Sequence, residues 1–152
     1  MSRRLKWLEK RAPWVPHGLE MLQSPSWRHA PIPLRRVLER LEIEHMRHGG
    51  QLNGELRVAY KQFVDANVSR RVLPALLRVG EELGLIGVVR PTEPTGDLRA
   101  PHLYRLTYLP AIGCSEPGDE WKRVTEERAM QLVEAFRDSY RTQTKAERSV
   151  AA

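Results

Sequence analysis

An amphipathic helix closed by Gly49-Gly50, an Asn53-Gly54 turn leading into a short Leu56/Val58 strand, and a helix-turn-helix pattern followed by two more strands predict an α+β fold. In order, these elements describe a winged helix-turn-helix over residues 32–110, a three-helix core plus a β-hairpin wing. Around it the sequence predicts an N-terminal arm (1–31), a linker (111–124), an extra amphipathic C-terminal helix (125–142) and a disordered tail (143–152). With 152 residues and 41% hydrophobic side chains the chain has material for one core and its extensions.

The arm begins with a short basic stretch, residues 2–11, that Pro13 cuts off before it can become a stable helix. Pro16, Pro25, Pro31 and Pro33 then punctuate a segment with one brief apolar turn at Leu19, Met21 and Leu22, and Trp14 and Trp27 are expected to pack on the following domain. Pro33 suits the first turn of the first core helix. Leu34, Val37, Leu38, Leu41 and His45 follow at three- and four-residue steps on one face, with Arg35, Arg36, Glu39, Arg40 and Glu44 on others. The run Glu42 to His48 spaces carboxylates and imidazoles as metal ligands are spaced on a helix, but His45 belongs to the apolar stripe and His48 complements the helix C-terminus, so no metal is expected.

A second helix is predicted over Tyr60 to Ala66, with Phe63 and Val64 as its buried side. Asn67 then suits a tight turn that needs a residue in the left-handed region, Val68 plugs between the helices, and Ser69 is the expected N-cap of a third helix running to about Leu83. Leu73, Leu76, Leu77, Gly80 and Leu83 share its inner side, while Arg70, Arg71, Pro74, Ala75 and Arg78 share the outer one. Guanidinium donors beside small apolar groups suit phosphates, guanine edges and thymine methyls in a major groove. Pro74, fifth in a helix capped by Ser69, would remove a backbone bond, so the helix is expected to start later or to bend there.

Gly84 ends this helix and a strand with Ile86 and Val88 on one face follows. The return strand is predicted over His102–Leu109, with Tyr104, Leu106 and Tyr108 alternating against Leu103, Arg105 and Thr107. The connecting loop offers Arg90 and Arg99 to DNA, opposed by Glu93 and Asp97. Beyond the linker, Thr125 caps a helix whose stripe of Ala129, Val133, Phe136 and Tyr140 either packs back on the domain or pairs two copies into a homodimer.

Composition narrows the function classes. The chain carries 25 Lys and Arg against 19 Asp and Glu, a net +6. Residues 1–51 hold 10 basic and 5 acidic side chains, residues 52–110 hold 8 and 6, and residues 111–152 hold 7 and 8. Such an excess attracts polyanions without proving that one is bound. The single cysteine, Cys114, allows neither an internal disulfide nor a thiolate zinc site. No signal peptide or membrane span is expected, which points to the cytoplasm and association with the nucleoid. A phosphate-binding glycine loop, a Gly-x-Ser-x-Gly elbow and zinc-ligand spacings are all missing from the sequence, and no cofactor is expected.

The segments Asn53-Gly-Glu-Leu, Phe63-Val, Asn67-Val-Ser-Arg-Arg, Glu82-Leu-Gly-Leu-Ile-Gly-Val and Leu103-Tyr-Arg-Leu-Thr-Tyr resemble bacterial winged-helix proteins. The likeness is strongest to the DNA-binding modules of plasmid and phage replication initiators and of small transcriptional regulators. It covers about half of the chain, and the whole chain looks like a bacterial family with no activity attached to it. The resemblance implies a winged-helix fold and DNA contact through Ser69, Arg70, Arg71, Ala75 and Arg78, and the chain departs from it at Pro74 and Gly80.

The expected function is therefore that of a non-enzymatic double-stranded DNA-binding protein, a transcriptional regulator or a replication accessory of a mobile element. Its contacts are expected from Ser69, Arg70, Arg71, Pro74, Ala75 and Arg78, with Arg90 and Arg99 from the wing. The alternative is a winged-helix protein-interaction adaptor that binds no DNA.

Overall fold

A computed structural model describes residues 13–91 and 101–152. Within them the chain forms α1 (Leu19–Gln23), α2 (Pro25–His29), α3 (Ile32–Arg47), β1 (Leu56–Arg57), α4 (Tyr60–Asp65), α5 (Leu73–Glu82), β2 (Ile86–Val89), β3 (Leu103–Leu106), a 3₁₀ turn (Glu120–Arg123) and α6 (Glu126–Ala151). The strands make one antiparallel sheet in the order β1-β3-β2, with Leu56 opposite Tyr104 and Ile86 opposite Leu106. This α+β arrangement is compatible with the predicted layout. The basic stretch 2–11 and the loop positions Glu93, Asp97 and Arg99 lie outside the described residues.

Burial explains the arrangement. Leu34, Val37, Leu38 and Leu41 of α3 meet Phe63, Leu73, Leu76, Leu77 and Leu83 from the next two helices, and Leu56, Tyr104 and Leu106 close the core from the sheet. Gly80 lets α5 approach closely, since a Cβ there would stand 2.9 Å from Leu34 Cδ1 and 3.0 Å from Ile86 Cδ1. Gly49 and Gly50 both take positive φ where α3 ends, as its sequence predicted.

Several elements depart from expectation. Val64 is 39% exposed, because the six-residue α4 has one buried position, Phe63. Of the apolar turn in the arm only Met21 is buried; Leu19 and Leu22 face solvent. Trp14 is also exposed, whereas Trp27 packs on the core edge, edge-on to His17 and Tyr108. The last strand is four residues long instead of eight, because Thr107 turns away and donates its hydroxyl to the Gly84 and Leu85 carbonyls. Asn53, expected only as a turn residue, is buried: its amide donates to the carbonyls of Leu106, Leu109 and Pro110, and its oxygen accepts from Leu106 N–H.

Two larger corrections concern the C-terminal third. Residues 111–124 are not a bare linker, for Trp121 enters the core and its indole donates to Asp119. Gly84, at φ +70°, makes room for that segment, whose backbone would lie 2.6 Å from an added Cβ. The final helix does not stop at 142 before a disordered tail; α6 continues to Ala151. No Gly or Pro interrupts it, and its later turns are rich in Arg, Lys, Gln, Glu and Ala, good helix formers. Its stripe of Ala129, Leu132 and Val133 is buried within the chain. Phe136 is half-buried, and Met130 and Tyr140 stay exposed.

Candidate nucleic-acid interface

The turn between α4 and α5 is built by the backbone. Asn67 takes φ +64°, Val68 N–H donates to the Phe63 carbonyl, and the N–H groups of Val72 and Leu73 both donate to the Ser69 carbonyl. Ser69 thus supplies a backbone acceptor, not the expected side-chain cap; the N-cap position is Val72 and no side chain caps the helix. Pro74 decides this. Starting α5 at Leu73 puts the proline in the first turn, where its missing N–H has no partner to lose.

The expected contact residues consequently separate. Arg70 and Arg71 lie on the turn that precedes α5, not on its outer face. Ser69, Arg70, Pro74 and Arg78 are exposed and Ala75 is half-buried. Arg71 is engaged: its guanidinium pairs with Glu147, donates to Thr144 Oγ1 at 3.1 Å and stacks over the Tyr140 ring. Arg90 is engaged too, forked onto the Glu81 carboxylate at 3.1 and 2.8 Å. That bond holds its pKa above the ordinary value, so the charge is permanent but neutralised in place. Arg99 lies outside the described residues.

Other cations gather round the same turn. Arg36 of α3 donates to the Asn67 carbonyl at 3.2 Å, which brings the first turns of α3 beside it. Arg35, next along, donates to the Trp27 carbonyl and lies over that indole. Between α3 and α6 runs an open groove of about 500 Å³ lined by Arg28, Arg35, Arg137 and Arg141, with Ile32, Met130 and Val133 in its apolar lining. Glu134 and Asp138 also line it, so the positive excess is partial. Arg35, Arg36, Arg137 and Arg141 were missed as candidates. The signal for the last two was helical spacing in a segment assigned to core packing and a tail.

The carboxylates Glu42 and Glu44 are occupied by other work. Tyr108 and His17 both hydrogen-bond one Glu42 oxygen at 2.6 Å, clamping the arm onto α3. Burial and that carboxylate push the Tyr108 phenol well above its usual pKa, keeping it a donor. Glu44 accepts from Arg40 at 3.1 Å and pairs with His48 at 3.0 Å. Among the described residues no group of three His, Cys, Asp or Glu side chains converges as a metal site requires. No helix among them is long and apolar enough to cross a membrane.

Comparison with known proteins found no family model, no curated protein and no solved structure that matches this chain.

Proposed function

We propose that the chain is a non-enzymatic double-stranded DNA-binding protein of the winged-helix kind, a regulator or a replication accessory of a mobile element. The observation that carries this reading is the setting of the turn at 67–72: exposed Arg70, with Arg36 beside it, leads into a helix whose outer side presents Pro74 and Arg78. The opposite side of that helix is buried against α3 and the sheet, which fixes its orientation. A rigid helix with cations at its entry and small groups along it is what major-groove reading requires.

The test is anisotropy titration against duplexes selected from a random pool, at matched salt. Arg70→Ala with Arg78→Ala is expected to remove about 1–3 kcal/mol for each good base contact and to relax the selected sequence. Unchanged affinity and preference in that double variant would exclude α5 as the reading element. A palindromic selected site would show that two copies bind together.

A second reading, a protein-interaction adaptor, draws on Ile32 and Met130, which line the groove and are 63% and 53% exposed. An adaptor retains no DNA at any salt concentration.

A further inference from the structure

We infer that the distal half of α6 is a second DNA-contacting element, laying a row of cations along the phosphate backbone beside the segment that α5 reads. The inference rests on the DNA-binding reading above and adds a second contact surface to it.

Arg137, Arg141, Lys145 and Arg148 recur at intervals of four, four and three residues, so they share one stripe of α6. All four are exposed, and Arg141 has one weak pair, to Asp138 at 3.9 Å. A neighbouring face of the same turns carries Tyr140, Thr144 and Glu147, and these hold Arg71 at the entry of α5. The stripe is therefore registered against the reading helix by direct contact. Toward the start of α6 it continues into the groove with Arg35; Arg28, across the groove, is already paired with Glu126, and Glu134 and Asp138 also line it.

The occupant follows from the shape of the charge. The row from Arg137 to Arg148 spans about 16 Å at helical rise. A DNA strand presents phosphates in a regular row, and because the strand winds around its axis a straight row of this length faces only the few nearest of them. The residues between the cations are mostly polar, with Tyr140 the one aromatic among them, and the exposed apolar side chains Ile32 and Met130 lie in the groove beyond Arg137. Arg90, the described cation at the base of the wing, is already neutralised by Glu81.

The test compares two full-length variants that lose equal charge: Arg141→Gln with Lys145→Gln on the stripe, and Arg47→Gln with Arg123→Gln elsewhere. Anisotropy against a mixed-sequence duplex of about 30 base pairs is followed over a salt series, with circular dichroism confirming equal helix content. The stripe variant is expected to lower the slope of log affinity against log salt by ~2, at ~0.9 per phosphate contact, while the other pair leaves it unchanged. An unaltered slope in the stripe variant, or an equal fall in both, overturns the role of α6 and leaves the DNA reading standing. No salt-dependent binding by the unmodified chain overturns both.

Discussion

Arg71 and Glu147, 76 positions apart, form an ion pair that ties the turn before α5 to the last turns of α6. Both side chains are about half exposed, so the pair contributes little to stability, ~0–1 kcal/mol, but it occupies a guanidinium at the entry of α5. Glu147→Gln releases that charge. Affinity for a mixed-sequence duplex is expected to rise a few-fold at low salt, with the melting temperature nearly unchanged. A loss of affinity would mean that Glu147 positions Arg71 for DNA instead of competing for it.

The start of α5 is checked by its proline. With the helix beginning at Leu73, Pro74→Ala restores no missing bond and only gives the unfolded chain more freedom, a loss of about 0.4–1 kcal/mol in chemical denaturation. Were the helix to begin at the turn, the same change would relieve a broken backbone bond and stabilise the protein by up to ~3 kcal/mol. The sign decides between the two.

Asn53 serves four backbone groups at the end of β3 from a buried position. Asn53→Ala takes that partner from Leu106 N–H and from the Leu109 and Pro110 carbonyls, while the Leu106 carbonyl keeps Leu109 N–H, and a destabilisation of about 2–4 kcal/mol is expected in urea unfolding. Asn53→Asp keeps the acceptor for Leu106 N–H but sets a carboxylate against those carbonyls. Recovery of full stability by that variant would show that the amide donor is dispensable.

Two histidines make stability depend on pH. His45 lies below the ordinary imidazole pKa of 6.5 because burial penalises its charged form, an effect only partly offset by Glu42. His102 is lowered by burial and by Arg90. In each case the unfolded chain takes up the proton first, so the contribution to stability is complete above pH 6.5 and is lost as pH falls through the folded values. Melting temperatures measured from about pH 7.5 to 5 are expected to decline over this window. The decline is expected to be shallower in His45→Gln; an identical profile would assign it elsewhere.

How much of this was legible in the sequence varies with the kind of signal. The stripe Leu34, Val37, Leu38, Leu41 marked α3 because burial imposes a helical period, and Asn67 marked the tight turn because few side chains tolerate positive φ. Those are local constraints, written in a few adjacent residues. Val64 was misread because a one-turn helix shows too little period to say which neighbour is inside. Of the candidate contacts, the exposure of Pro74 and Arg78 followed from the same periodicity, whereas Arg70 is exposed on the turn before the helix, where that period does not apply.

The sequence by itself determined the order of helices and strands from α3 to β3, the inner face of α5 and the excess of basic charge. Only the tertiary structure decided which cations stand free. Arg71 and Arg90 look alike in the sequence to Arg70 and Arg78, yet Glu147 and Glu81 neutralise them across 76 and 9 positions. It also decided that residues 143–151 are helix, tied through Glu147 to the turn before α5, not a tail. The physical reason is range: backbone conformation and burial period act between near neighbours, whereas charge pairing depends on distances that exist only once the chain has packed.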